Sequence, residues 1–325
     1  MTIRIIVKSC IAAAMLAVLP VSAGAAVDLP CQAVKLIVPW KPGGGTDIIF
    51  REVALEAQKH LGKDIVIQNI AGQSGSKGAK VAKEARPDGC TIFAGHDSLQ
   101  TTYVTGKTDF NYFAYEPIVL LTFTPAIVGA SGKVDWNNMA EMVAYAKAHP
   151  GEVLIGATLN STSHFLAAAV EDAAGIKLKI VSYEGTAERK TAMMGGHVQL
   201  GELNITAAQK LFKTGDLKGL GIATEQRDPR LPDLPTLREQ GYDIVTGISR
   251  GVFAPKGTPQ EILDMYEAAF AKSMQNPELT KSLEGKGTVP TFKSRADFVP
   301  FLTKSAEEIE GLAKKIGIFK GKKAS

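Results

Sequence analysis

The sequence predicts an α/β chain folded as two lobes, each a mainly parallel sheet flanked by helices. Three observations predict it. From Val34 to Ala94, short apolar runs alternate with helical periodicity in a βαβαβ rhythm, which implies parallel strands covered by helices. From Glu116 to Gly129 a β-rich stretch carries few helix signals and reads as the crossing into a second lobe. After an N-terminal leader about 300 residues remain, enough for two modest domains.

The leader decides the compartment. Arg4 and Lys8 are the only charges before Asp28, Ile11 to Val21 is apolar, and Ser22-Ala23-Gly24-Ala25-Ala26 offers an A-x-A cleavage site. Residues 1–26 are therefore expected to be a cleaved secretory signal peptide, and the mature protein to be exported. Cys10 lies too early for a lipobox. Without Arg4 and Lys8 the 37 basic residues fall to 35, against 33 acidic ones, a net charge of +2. The basic residues are scattered, with one terminal cluster at Lys320, Lys322 and Lys323, so nothing suggests nucleic acid.

Val34, Leu36, Ile37 and Val38 form a run suited to a strand buried on both faces. Pro42-Gly43-Gly44-Gly45 follows, a turn whose backbone can approach a ligand closely. Thr46 and Asp47 are helix-start residues, and the apolar spacing carries a helix to Gly62. This glycine turn feeding a helix presents free amides and the positive end of the helix dipole, which suits an anion. It has neither G-x-G-x-x-G nor Gly-Lys-Ser/Thr, so the phosphate-binding patterns are absent. Asp64 to Asn69 and Cys90 to Ala94 are the next strands, with a short helix over Ala79 to Ala85. His96, Asp97 and Ser98 lie just past the third strand, at its carboxyl end, where open α/β sheets bind ligands.

In the second lobe, Asp135 to His149 reads as a helix and Val153 to Ile155 as a strand. Ser161 or Thr162 then caps the helix carrying Phe165, Leu166 and Val170. His164 lies in its first turn, as a ligand contact or as a packed histidine. Leu178 to Ser182 is a strand, and Tyr183-Glu184-Gly185-Thr186 opens another helix. Further strands fall at His197–Leu203 and Leu217–Thr224, with a helix at Ile205–Thr214, and Thr236 is expected to cap a short helix. Arg250 to Pro255 returns to the first lobe. Helices then start at Thr258-Pro259, Pro277 and Arg295, with Thr288–Phe292 extended. The lobes are thus expected at 27–125 with 250–325, and at 126–249.

Cys31 and Cys90 each precede an apolar strand. Two readings stand: a disulfide, if those strands are sheet neighbours, or two separate buried thiols. No Cys/His spacing suggests a metal, and no cofactor motif is present.

The string PWKPGGGTD resembles the first ligand loop of the Bug family, the solute-binding proteins of tripartite tricarboxylate transporters. PDGCTIFAG, GATLNSTSH, YEGTAE, GGHV, RDPRLPDLPTLREQGY and FAPKGTP resemble further family segments in the same order, over nearly the whole mature chain. The resemblance implies a two-lobed, type II periplasmic-binding-protein-like fold that closes around a small organic carboxylate, di- or aromatic, without catalysis. It also implies a monomeric periplasmic protein with membrane permease subunits as partners. On matched positions it points to Gly44, Gly45, Thr46 and Asp47, to Ser161, Thr162 and Ser163, and to Gly185 and Thr186 as ligand-binding residues. His96 and Ser98 join them from the third strand's end. Trp40 and Tyr183 are candidate pocket walls, with Trp40 equally suited to the core.

The chain departs from the family where an aromatic pair is common, because Arg250 follows Ser249. Arg250 suits a second ligand carboxylate, or else pairs with a surface acid at the rim. Glu202-Leu203 replaces a Phe-Asp of some members, whose Asp suits a ligand ammonium, and this argues against an amino acid. Two other functions compete. A receptor for a sensor kinase would have the same sequence features. An exported enzyme would draw on His164, Glu184, Glu188 or His197 as acid or base, but G-x-S-x-G and H-E-x-x-H are absent.

Overall fold

In the computed structural model, residues 28–320 are described. The expected signal peptide lies outside them. The strands are β1 (Ala33–Val38), β2 (Asp64–Asn69), β3 (Thr91–His96), β4 (Tyr115–Pro125), β5 (Ile127–Ser131), β6 (Leu154–Ala157), β7 (Lys179–Ser182), β8 (Leu200–Leu203), β9 (Leu217–Ile222), β10 (Gly247–Pro255) and β11 (Val289–Lys293). The helices are α1 (Gly45–Leu61), α2 (Ser76–Lys83), α3 (Ser98–Val104), α4 (Met139–Ala148), α5 (Thr162–Ala174), α6 (Thr186–Gly195), α7 (Ile205–Thr214), α8 (Gln260–Met274), α9 (Pro277–Gly285) and α10 (Arg295–Lys315).

Two sheets organise these elements. The first runs β11-β4-β10-β3-β1-β2 and the second β7-β6-β8-β5-β9. The α/β two-lobed class holds, but both sheets are mixed rather than mainly parallel. β1 is parallel to β2 and β3, whereas β10 is antiparallel to β3 and β4, and β4 to β11. In the second sheet β6 is parallel to β7 and β8, and β5 antiparallel to β8 and β9. The antiparallel strands are the ones that carry the chain between sheets. Strand β4 leads into β5 through Ala126 alone, and β10 brings the chain back.

Each sheet has its own core. Val34, Leu36, Val38, Phe50, Val53, Ile92 and Val252 pack around the first, with α8 closing it through Tyr266 and Phe270. Met139, Met142 and Val143 of α4 and Leu166 and Val170 of α5 pack the second, as their helical spacing demands, with Trp136 joining from just ahead of α4. Helix α10 touches both bodies. Its Phe298 and Leu302 pack with Phe93 and Phe253, while Ala313 packs with Phe165 of α5 and Lys315 pairs with Asp172 at 2.7 Å.

Cys31 and Cys90 form a disulfide, with Cα atoms 5.9 Å apart. The pairing register explains it: Lys35 lies opposite Thr91 on parallel neighbours β1 and β3, so the residues just ahead of both strands meet at one sheet edge.

Local corrections follow from hydrogen bonding. Thr236 starts no helix. Its amide donates to Glu239 Oε2 and its hydroxyl accepts from the Glu239 amide, so the capping pair closes a turn, while Thr236 bridges to Ile222 of β9. Helix α4 starts at Met139 because Asn138 caps it, accepting from the Glu141 amide. Pro259 is the residue before α8 rather than its first.

Candidate functional site

The carboxyl end of β1 and the starts of α1, α5 and α6 face one cleft between the sheets, with about 990 Å³ of free space including its open mouth. Of the residues singled out from sequence, Trp40, Gly44, Gly45, Thr46, His96, Ser98, Ser161, Thr162, Ser163, Gly185, Thr186 and Arg250 line it.

Asp47 and Tyr183 do not. Asp47 is buried and works behind the loop: Oδ2 accepts from the Gly43 amide and Arg51 Nε, and Oδ1 from Asn69 Nδ2. Burial opposes its charge, but the Arg51, Gly43 and Asn69 bonds hold its carboxyl below the ordinary value. Gly43 has φ +78°, so the turn Asp47 ties down is one that glycine adopts without strain. Tyr183 packs toward Gly156, where an added Cβ would lie 3.3 Å from its ring, and its carbonyl accepts from Thr158 Oγ1.

Three helices start at the cleft without a side-chain cap: α1 after Gly44, α5 after Ser161 and α6 after Gly185. Their first amides have no partner within the helix. Ser161 Oγ instead donates to the Thr158 carbonyl at 2.8 Å and meets Ser163 Oγ at 3.1 Å, and Ser163 Oγ accepts from the Thr158 amide.

Arg250 is 3% exposed. Its Nε donates to Thr46 Oγ1 (3.1 Å) and Nη1 to Thr124 Oγ1 (2.6 Å). No carboxylate of the described residues contacts it, so it is not a rim arginine paired with a surface acid. Its Nη2 lies 3.7 Å from where a Cβ on Gly45 would stand, at the first turn of α1. Burial lowers its pKa to about 10 against the fields of Glu202 and Asp97, and the guanidinium stays charged at neutral pH.

Arg250 pairs across strands with His96. His96 Nδ1 accepts from the Ser98 amide at 3.1 Å, which leaves Nε2 protonated, and the ring stacks on Trp40 at 5.1 Å. Burial, then Arg250, pushes the His96 pKa down to about 3. Burial pushes neighbouring Asp97 up to about 6, although the Ser249 amide and Tyr112 hydroxyl bond it. These shifts have opposite signs. His96 binds its proton less readily when folded, so its contribution is full above pH 6.5 and fades as pH falls toward 3. Asp97 loses stability as pH rises from 3.8 to about 6. A His96→Asn chain is expected to lose less stability than wild type between pH 7 and pH 4, measured by urea unfolding at each pH.

Sequence reasoning missed Arg189, which is buried at the floor of the cleft. Its Nε donates to the Glu202 carbonyl, Nη1 to Ser163 Oγ, and Nη2 to Thr186 Oγ1 and Glu202 Oε2. Its place three and four residues before Ala192 and Met193, on the inward face of α6, was the available signal. Glu202 also lines the cleft. Burial raises its pKa, opposed by Arg189 and Arg250.

At the mouth, Lys41 beside α1 pairs with Glu188 of α6 at 2.5 Å. Deeper contacts also join the two bodies. Ser74 Oγ donates to the Leu159 carbonyl (2.5 Å) and Thr101 Oγ1 to the Asn160 carbonyl (2.8 Å). Ser74 and Asn160 both have left-handed backbone, φ 60° and 62°. Of the acid–base candidates, Glu184 and Glu188 stand at the mouth, while His164 and His197 lie outside the cleft lining. Among the described residues no cluster of His, Cys, Asp and Glu is placed to hold a metal, and no helix is long and apolar enough to cross a membrane.

Comparison with known proteins places the chain in a family and a fold. The family described as "Tripartite tricarboxylate transporter family receptor" matches residues 49–318. Protein BugT of Bordetella pertussis is 26% identical over 304 residues, 92% of each chain. Among solved structures, R. palustris Rpa4515 with adipate superposes with a TM-score of 0.84 at 28% identity, covering 90% of this chain and 99% of that one. MatC from Rhodopseudomonas palustris with bound malate gives 0.81 at 26% identity, covering 87% and 99%.

Proposed function

Because the chain belongs to the tripartite tricarboxylate transporter receptor family, we propose that it is an exported, monomeric solute receptor. It closes its lobes, 27–125 with 250–325 and 126–249, around a small di- or aromatic carboxylate in the periplasm. It then delivers that ligand to the membrane subunits of a tripartite tricarboxylate-type transporter, and performs no catalysis. The observation that carries this reading is Arg250: a buried guanidinium bonded, among the described residues, only to two hydroxyls, and turned toward a cleft where three helices start. Charge and dipoles both leave that space short of an anion. Hydrogen bonds to a charged group contribute roughly 1.5–3 kcal/mol each. A handful reaches the ~8 kcal/mol of micromolar binding after association costs. That similar proteins hold malate and adipate supports a dicarboxylate.

A thermal-shift screen of mono-, di- and tricarboxylates tests the ligand class. Dicarboxylates or aromatic carboxylates are expected to raise the melting temperature, and a response confined to uncharged compounds would refute the assignment. Uptake of the bound compound in cells with and without the receptor tests delivery. Unchanged uptake in its absence would favour the sensor role.

A further inference from the structure

Glu202 sits in a region of the cleft otherwise rich in donors. It is 7% exposed and lines the cleft from β8. Only Oε2 is engaged, by Arg189 Nη2 at a long 3.4 Å, and Oε1 has no protein donor among the described residues. Oε1 is not sealed from solvent but opens onto the cleft, and a ligand that covered it without offering a donor would leave a costly unpartnered carboxylate oxygen. Arg250 does not supply it: the two residues feel each other's charge but form no ion pair. The space they border thus has a half-used cation on one side and a half-used anion on the other.

A plain dicarboxylate satisfies only the first of these. Its carboxylate meets Arg250, and its methylene groups leave Oε1 dry and unpaired beside a second negative charge. A ligand hydroxyl removes both penalties by donating to Oε1. An ammonium would also donate, but it would enter a field set by Arg189, Arg250 and three helix starts against a single buried carboxylate. Resting on the carboxylate-receptor reading above, we propose that Glu202 is a specificity-determining residue, its Oε1 accepting a hydrogen bond from a hydroxyl on the bound carboxylate.

The test uses pairs that differ by one hydroxyl: propionate and lactate, succinate and malate, tricarballylate and citrate, benzoate and 3-hydroxybenzoate. Calorimetric titration of the full mature protein is expected to give the hydroxylated member of a binding pair at least tenfold tighter affinity. In Glu202→Gln that ratio is expected to fall about tenfold, with the unhydroxylated member bound no more weakly than by wild type. A merely structural role for Glu202 would weaken both members equally. Near-equal affinities in every pair that binds wild type would overturn the proposal. So would an unchanged ratio in the variant, or aspartate binding more tightly than malate. The wild-type ratio decides even if Glu202→Gln fails to fold. If no member of any pair binds, the carboxylate-receptor reading itself falls, which separates the two failures.

Discussion

Replacing Arg250 with alanine is expected to weaken carboxylate binding by about two orders of magnitude while leaving the empty protein at least as stable as wild type. The two effects have one cause. Arg250 is buried beside the positive end of α1, and its protein partners, Thr46 and Thr124, are neutral. A buried charge with no bonded counter-charge is a burden on the folded state, here only partly offset by the fields of Glu202 and Asp97. The same group, already stripped of water, bonds an arriving carboxylate at roughly 1.5–3 kcal/mol per hydrogen bond. Losing one or two such bonds gives the stated drop in affinity. Arg250→Met, closer in volume, should show the stability gain most clearly, because it avoids the cavity. Lysine should restore only part of the affinity, since one ammonium cannot reproduce the fork that holds two hydroxyls and still presents Nη2. Titration calorimetry and thermal melts on the same samples check both halves. A larger loss for dicarboxylates than for monocarboxylates is expected if Arg250 reads a second charge, and equal losses would refute that role.

The second large effect concerns the Cys31–Cys90 bond. It closes a loop of 59 residues in sequence separation that contains β1, α1, β2 and α2. In the chain-entropy account, a cross-link of that length restrains the unfolded state by roughly 4 kcal/mol. The paired Cys31→Ser and Cys90→Ser substitutions are therefore expected to cost about 2–4 kcal/mol. The loss should appear as a lower guanidinium midpoint, with dithiothreitol reproducing it in the wild-type chain. The ligand loop after β1 lies inside the closed segment, so affinity should fall with stability at elevated temperature and recover on cooling. An unchanged midpoint would show that α8 alone, through Tyr266 and Phe270, holds this corner of the sheet.

Much of this site was legible because its chemistry is local. A glycine turn ahead of a helix declares its free amides in the sequence, as do Ser161–Ser163 and Gly185-Thr186. The cysteine pairing was half legible, since each residue precedes a strand but only the register makes those strands neighbours. Strand direction was not legible. The antiparallel strand β4 carries the buried run Ile118–Leu121, as continuously apolar as a parallel strand, so the mixed sheets gave no separate signal. The Arg189–Glu202 pair escaped for a different reason. Their contact depends on α6 lying against β8, a tertiary fact, although a lone glutamate in a fully buried four-residue strand is an oddity worth noticing. Thr236 misled because the same reciprocal bond that opens a helix can also close a turn. Asp47 misled because its residue type fits a ligand contact, whereas its bonds brace the loop from behind.

The grip between the lobes is also not fully relaxed. The carbonyls of Leu159 and Asn160 are held by Ser74 and Thr101, and both Ser74 and Asn160 sit in backbone geometry that L-residues avoid, at about 1 kcal/mol or more apiece. Asparagine bears this more easily than serine does. Parting the lobes would surrender two hydrogen bonds to water. The lobes thus meet through hydroxyls of one and carbonyls of the other, and any widening of the cleft has to exchange those two contacts for water.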